Sequence, residues 1–257
     1  MRIVPALTCE DSPLPDIVRH AFGVPSIDQA LGGGLGCGQV HEIFPADSDD
    51  AAGAAAFAMA LATRMAAPGQ TLLWLRTRQA ARSGGVVQAS GWAELGGIPD
   101  DGIVAVVPDD LALLRAAVDG LRCGALGAVI VESRGPLREL DLTASRRLTL
   151  AAERSGVPLF LLRMDAKPAP SAAQTRWQVA CAPSCPLPGN APGAPAFDLT
   201  LLRQKSGPSG LAWRLEWDRD QRMFREAPIP GSLVSLPAGG SAADTGGDRG
   251  QGRRYAA

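Results

Sequence analysis

Lysine is almost absent from this chain of 257 residues, since it occurs only at Lys167 and Lys205. Neither lysine follows a glycine, so the chain contains no G-x-x-x-x-G-K-[ST] sequence. In that sequence, backbone amides surround the phosphates of a nucleotide, the lysine neutralises them and the hydroxyl holds Mg²⁺. The composition therefore excludes a phosphate-binding loop of the usual kind.

Long apolar runs and strong charge imbalance are also missing. The longest uncharged apolar run, residues 51–63, is mostly alanine and falls short of the roughly 20 residues that span a bilayer. The net charge of −1 creates no overall attraction to nucleic acid or to an anionic membrane. We expect no membrane-spanning segment and no membrane partner, and any nucleic-acid contact would have to be local.

The cysteines indicate a reducing compartment. They are odd in number and scattered, at Cys9, Cys37, Cys123, Cys181 and Cys185. The first residues also lack the basic and then apolar pattern of a secretory signal peptide. We therefore expect a cytoplasmic protein with reduced thiols.

The residues that usually carry catalysis or bind zinc are poorly placed. His20 and His41 have no second histidine, cysteine or carboxylate at ligand spacing, and the pair Cys181 and Cys185 lacks a second pair to complete four ligands. The chain has no G-x-S-x-G sequence, and a Ser-His-Asp triad would need one of these two histidines. We expect no catalytic residue, no metal and no cofactor.

The pattern from about Gly38 to Arg163 predicts an α/β fold, a doubly wound and mainly parallel sheet with helices on its faces. The predicted strands are Gln39–Phe44, Thr71–Arg76, Ile103–Val107, Ala128–Glu132 and Pro158–Arg163. The predicted helices are Asp50–Met65, Asp109–Cys123 and Asp141–Ser155, the last two with Gly124 and Gly156 where a C-cap glycine belongs.

The chain after Met164 predicts an antiparallel extension of the same sheet. Short strand-like runs alternate there with Pro- and Gly-rich loops, at Trp177–Cys181, Phe197–Arg203, Leu211–Trp217 and Met223–Glu226. Residues 227–257 have too few large apolar side chains to offset the entropy of ordering, so we expect a disordered tail. The predicted organisation is an N-terminal arm at 1–21, one domain at 22–226 and this tail.

The glycine cluster Gly32–Gly38 precedes the first predicted strand. A dinucleotide-binding fingerprint would follow a strand and would read G-x-G-x-x-G, which this cluster does not. We predict a tight turn there, which uses glycine's tolerance of positive φ.

The segment 39–62 predicts a strand, a loop and a helix of a P-loop fold whose loop has lost its chemistry. Acidic side chains stand where phosphate would bind at the helix N-terminus, and they would repel it. Glu132 ends the apolar strand AVIVE, where acidic residues of P-loop enzymes hold the Mg²⁺-bound water. We interpret Glu132 as a vestigial metal position, and we take as the vestigial loop Pro45, Asp47, Asp49, Asp50 and Gly53.

Arginines form the candidate contacts to DNA or to a partner. Arg76 and Arg78 follow the second strand, Arg203 and Lys205 belong to the late strands, and Arg253 and Arg254 lie near the C-terminus. Acidic residues interleave with the late set, which favours a solvated mixed face over a DNA track and leaves a weak or indirect DNA contact open.

Several motifs resemble those of known proteins. The run FGVPSIDQALGGGLGCGQVHEIF resembles the segment that leads into the phosphate loop of RecA-type recombinases, although Glu132 stands where those proteins carry Asp. Within that superfamily, TLLWLRTRQAARSGG, LRCGALGAVIVES and the late TRWQVA and LAWRLEWD are most similar to the ImuA family. The resemblance covers about Phe22 to Glu226.

The resemblance implies a RecA-like core and a role in DNA damage and SOS-induced mutagenesis. ImuA proteins act with ImuB, an inactive Y-family polymerase relative, and with an error-prone C-family polymerase in translesion synthesis. We expect a non-catalytic adaptor that binds an ImuB-like protein, with the C-family polymerase alpha subunit or RecA as further candidate partners. Two alternatives stay open: a RecA-fold ATPase or DNA-binding protein with an atypical loop, and a cell-division inhibitor of the SulA type.

Overall fold

The computed structural model describes residues 17–227, and the structural statements below concern these residues. The strands are β1 Arg19–His20, β2 Leu35–Gly36, β3 Val40–Pro45, β4 Thr71–Thr77, β5 Gly102–Val107, β6 Leu126–Arg134, β7 Leu159–Met164, β8 Thr175–Ala182, β9 Ala196–Gln204, β10 Leu211–Asp218 and β11 Met223–Glu226. The helices are α1 Pro25–Ala30, α2 Ala51–Met65, α3 Arg78–Gly84, α4 Ala89–Glu94, α5 Asp110–Leu121 and α6 Leu142–Ser155.

One large sheet runs through the structure in the order β11-β10-β9-β8-β3-β7-β6-β4-β5. All neighbours from β8 to β5 are parallel, whereas β9, β10 and β11 are added antiparallel. The predicted α/β class, with a mainly parallel sheet and antiparallel late strands, is confirmed. The N-terminal predicted arm and the predicted tail fall largely outside the described residues.

Helices cover both faces of this sheet because the strands alternate their side chains between two cores. In β3, Ile43 packs into a core with α2, while Val40 packs into a second core with α5 and α6. Phe57 of α2 meets rings from both ends of the chain, at Phe22, Trp177, Phe197 and Phe224. The late strands therefore belong to the same core as the parallel ones.

Local signals account for the starts of α5 and α6 and for the end of α6. The side chains of Asp109 and Asp141 cap α5 and α6 by accepting from the third amide after each, at 2.8 and 2.7 Å. Gly156 ends α6 in the left-handed conformation, with φ of 78°. The predicted cap at Gly124 is wrong, because α5 ends earlier and its C-cap Arg122 stays in the right-handed region.

The sequence did not indicate the short elements α1, α3 and α4. They are six or seven residues long and depend on tertiary contacts, such as the buried Trp92 of α4. The glycine cluster before β3 does form a tight turn, as predicted. A Cβ on Gly34 would lie 2.2 Å from the carbonyl oxygen of His20, so only glycine allows β1 and β2 to pair. Among residues 17–227, no helix has the length and apolarity needed to cross a membrane.

His41 of β3 makes stability depend on pH. It is fully buried, with Nδ1 2.8 Å from Oγ1 of Thr175. Burial lowers its pKa from 6.5 to about 4, and nearby Arg19 adds to the effect. Between these values the unfolded chain holds a proton that the folded chain does not, so acid favours unfolding.

We predict that the free energy of unfolding falls by about 1.4 kcal/mol per pH unit through this histidine as the pH drops from 6.5 to about 4. Above pH 6.5 the imidazole is neutral in both states and contributes no slope. Urea denaturation across this range should show the extra slope in the parent chain and not in His41→Gln. Parallel pH profiles for the two proteins would contradict the prediction.

Candidate functional site

The loop between β3 and α2 satisfies its own backbone groups. The amide of Asp49 donates to Oδ1 of Asp47 at 2.8 Å, and the amide of Asp47 donates to Oδ2 of Asp50 at 3.3 Å. The amides of Asp50 and Ala51 donate to carbonyls of the same loop at 3.3 and 3.4 Å. These are the kind of donors that a phosphate-binding loop turns towards its ligand. Here carboxylates and carbonyls of the loop occupy them.

The start of α2 is fixed against β8 rather than opened around a ligand. Oδ1 of Asp50 accepts from the amide of Cys181 at 2.7 Å. A Cβ on Gly53 would lie 2.5 Å from Sγ of Cys181, so the absence of a side chain allows the helix to approach the strand. The first two helical residues, Ala51 and Ala52, supply neither an ammonium nor a hydroxyl group.

Glu132, the predicted vestigial metal position, is buried at 3% exposure and its carboxylate is fully engaged. Oε1 accepts from Nη2 of Arg76 at 2.9 Å, and Oε2 accepts from the indole of Trp74 at 3.0 Å. Nε of Arg76 also lies 2.7 Å from Oε2, which completes a two-point ion pair. The guanidinium of Arg76 therefore neutralises the negative charge of Glu132, which a bound metal ion would otherwise neutralise.

Arg76 also fixes the segment that follows β4. Its Nη1 donates to the carbonyl of Gly85 at 2.6 Å, and its Nη2 reaches the carbonyl of Ala80 at 3.3 Å. The guanidinium therefore joins β4, β6 and both ends of α3. Because this segment carries few buried apolar side chains, we attribute its position chiefly to these bonds.

A cleft of about 680 Å³ opens beside this ion pair, between α2 and the segment 83–95. Arg76 and Glu132 belong to its floor, and Asp49 lies at its rim. Its other walls are mostly apolar, from α2 at Ala52, Ala55, Ala56 and Met59 and from the facing segment at Val86, Val87, Trp92 and Leu95. This cleft, hereafter the α2 cleft, is of the size that small ligands or peptide anchors occupy.

The remaining predicted contact residues do not meet. Arg78 is exposed at the start of α3, while Arg203 donates to the carbonyl of Ser171 at 3.1 Å and Lys205 is exposed beyond β9. The strands β4 and β9 are separated by four others, so the two groups form no common patch. Pro45 ends β3, and Arg253 and Arg254 lie outside the described residues.

The sequence did not indicate a second buried cluster of charged residues. Arg176 of β8 donates from Nε to Glu42 of β3 at 2.7 Å, and the guanidinium groups of Arg163 and Arg176 lie 5.9 and 5.8 Å from the ring of Phe44. Burial lowers the pKa of Arg163, and the charge of Glu42 opposes that shift. Single charges inside the apolar runs VHEIF and LFLLRM were the signal that could have revealed it. Within residues 17–227, no three His, Cys, Asp or Glu side chains gather in a way that could hold a metal.

Comparison with known proteins places the chain in a family. No family model matches it. Two curated proteins named Protein ImuA, from Caulobacter vibrioides strains NA1000 and ATCC 19089, are 32% identical to it over 231 residues, which is 84% of this chain and 88% of each relative. The chain belongs to the ImuA family. The resemblance that the sequence motifs indicated is thereby confirmed.

Membership in the ImuA family rests on identity along most of the chain. The contribution of the buried pair Arg76 and Glu132 to stability can be tested independently of that membership. We predict that Glu132→Ala lowers the free energy of unfolding by about 3–5 kcal/mol, because it leaves the Arg76 guanidinium buried without its carboxylate. The double variant Arg76→Leu with Glu132→Leu should lose less stability than the sum of the losses in the single variants Arg76→Leu and Glu132→Leu. Urea denaturation of the parent, singles and double measures the coupling.

The exposed pair Arg122 and Asp119, with side chains 72% exposed on both partners, is the matched control and should show almost no coupling. Losses at Arg76 and Glu132 that simply add would show that the two side chains do not stabilise each other.

Proposed function

We propose that this ImuA-family chain is a non-catalytic, RecA-like adaptor of the translesion synthesis mutasome, which binds an ImuB-type inactive Y-family polymerase relative during the SOS response to DNA damage. Membership in the family and the motifs FGVPSIDQALGGGLGCGQVHEIF and LAWRLEWD support the biological context. An error-prone C-family polymerase alpha subunit and RecA are further candidate partners, with DNA contacted weakly or through them.

The proposal of a degenerate P-loop core draws on what converges at one end of the sheet. The loop 46–50 follows β3, and together with the start of α2 it lines the same cleft as Arg76 of β4 and Glu132 of β6. Open α/β sheets bind their ligands at this end of parallel strands. This placement supports the proposed P-loop core, and the side chains present there are not those that nucleotides require.

The observation that carries the non-catalytic proposal is the engagement of Glu132 by Arg76 and Trp74. Each oxygen of this buried carboxylate already accepts one N–H group, and the guanidinium of Arg76 lies against it as a counter-charge, so neither oxygen is left for a metal-bound water. Freeing it would leave the guanidinium of Arg76 buried without a counter-charge, at a cost of several kcal/mol. The acidic, self-bonded loop and the alanines at the start of α2 remove the other groups that phosphoryl transfer needs.

A surface suited to a protein partner lies at the far edge of the sheet. Within residues 17–227, β5 pairs only with β4, so its other edge offers free backbone groups. Ile103, Val104 and Val106 are 53%, 42% and 53% exposed, and the strand carries no charge. Edge strands of monomeric proteins are usually protected by charge or irregularity. This edge fits a partner strand that extends the sheet.

Charges at the two ends of β5 indicate the kind of strand that would pair with it. Asp100 and Asp101 precede the strand, and Asp109 and Asp110 follow it. Two copies of β5 related by a two-fold axis would pair antiparallel and would bring these acidic pairs together. Self-pairing is therefore disfavoured, and an apolar partner strand flanked by basic residues is favoured.

We predict that the chain shows no saturable binding of a fluorescent ATP analogue in the presence of Mg²⁺. Ala51→Lys should not confer Mg²⁺-dependent hydrolysis, because Glu132 stays paired and Asp47, Asp49 and Asp50 keep their charge. Fluorescence titration and a phosphate-release assay measure these outcomes. Micromolar affinity in the parent chain would instead favour the alternative of a RecA-fold ATPase with an atypical loop.

We predict that Val104→Lys with Val106→Lys weakens co-purification with an ImuB-type partner by at least about tenfold, which is roughly 1.4 kcal/mol. Two ammonium groups would face the apolar side chains in the middle of the partner strand and would blunt the edge. Leu142→Lys with Leu150→Lys, at exposed apolar positions of α6, is the matched control and should bind like the parent.

Unchanged binding by the β5 variant would remove that edge from the interface. A loss that follows only from deletion of residues 228–257 would assign the contact to the C-terminal segment.

A further inference from the structure

The α2 cleft has an apolar interior although it stands at the ligand-binding end of a parallel sheet. Five residues of α2 at helical spacing line it, namely Ala51, Ala52, Ala55, Ala56 and Met59. Four of them are alanines, whose short side chains leave the space open. Opposite it stand Val86, Val87 and Trp92, and Trp74 lies on the floor.

The two cations that line this space are already ion-paired, Arg76 with Glu132 and Arg134 with Asp165. Apart from Asp49, its other polar side chains are uncharged, at Ser48, Ser83 and Gln88. Met164 completes the floor. A ligand made of phosphates would find no free cation here, whereas a large apolar group would find partners on several sides.

The rim of the cleft is negatively charged. Asp49 lines it, and Asp47 lies two residues away in the same loop. Both are exposed, and neither forms an ion pair with any residue in the range 17–227. An occupant that carries a cation beside its apolar group would therefore satisfy both parts of the site.

We propose that the α2 cleft binds a peptide segment of a protein partner, with an aromatic side chain in the apolar interior and an adjacent arginine or lysine against Asp49 and Asp47. Aromatic and arginine side chains dominate the binding energy of protein interfaces, and they do so when an apolar pocket excludes water around them. The ion pair of Arg76 and Glu132 serves here as a rigid floor, since Arg76 also fixes the wall through the carbonyl of Gly85.

This site is separate from the β5 edge, because it lies between α2 and the segment 83–95 on one face of the sheet. The proposed adaptor function names no ligand for the α2 cleft, and the present proposal specifies the chemistry of one. The test below uses synthetic peptides, so it does not depend on the mutasome partner or on nucleotide.

The probe is a fluorescein-labelled peptide Gly-Arg-Trp-Arg-Gly, titrated with the full chain by fluorescence anisotropy. We expect saturable binding below about 1 mM. The peptides Gly-Arg-Ala-Arg-Gly and Gly-Asp-Trp-Asp-Gly should each bind at least about tenfold more weakly, because one lacks the anchor and the other meets a rim of its own charge. MgATP should not compete.

Two variants test the location. Ala56→Trp should fill the cleft and abolish binding of the Arg-Trp-Arg peptide, while Ala67→Trp, at an exposed position just beyond the same helix, should bind normally. Asp49→Lys should weaken binding of the Arg-Trp-Arg peptide and strengthen binding of the Asp-Trp-Asp peptide. Glu153→Lys, on the exposed side of α6, is its charge-matched control and should change neither.

If Ala56→Trp fails to fold, the charge reversal Asp49→Lys still tests the site. Asp49 is exposed, and its side chain makes no contact that the core needs. Absence of binding up to about 1 mM would overturn the proposal. Equal affinity for all three peptides, displacement by MgATP, or unaltered preferences in Asp49→Lys would overturn it as well.

Discussion

The ion pair between Arg76 and Glu132 determines what this end of the sheet can do. It lies within the α2-facing side of the sheet, where both side chains are at most 4% exposed. Each charge depends on the other, because either one alone would be buried without compensation. The same guanidinium holds Gly85 and Ala80, so the pair also positions the wall of the α2 cleft. A single interaction thus neutralises the charge of Glu132 and shapes the space beside it.

In the loop beside the pair, charged groups are likewise satisfied by other groups of the protein. A helix N-terminus attracts an anion, and in this chain the attracted carboxylates belong to the loop itself, where Asp47 and Asp50 accept its amides. Beneath the loop, Phe57 packs against Trp177, Phe197 and Phe224 from the late strands. One mainly parallel sheet carries this loop, and within residues 17–227 the outer edge of β5 is unpaired.

The sequence predicted most of the fold and only part of the candidate site. Alternating apolar runs gave the strands β3 to β7 and the helices α2, α5 and α6, because period and capping residues such as Asp109 and Asp141 are local signals. It also singled out Asp47, Asp49, Asp50 and Glu132. It missed α1, α3, α4 and the pairing of Glu132, since helices of six or seven residues and contacts between strands distant in sequence leave no local pattern.

Some properties were set by the sequence alone: two lysines and no G-x-x-x-x-G-K-[ST] sequence rule out a usual phosphate loop whatever the fold. Motifs along the chain were enough to indicate the ImuA family. Only the tertiary structure decided that Glu132 is neutralised by a residue 56 positions away, and that alanines of α2 face an open cleft. The physical reason is that composition fixes which charges exist, whereas the sheet order β7-β6-β4 decides which of them share a buried site.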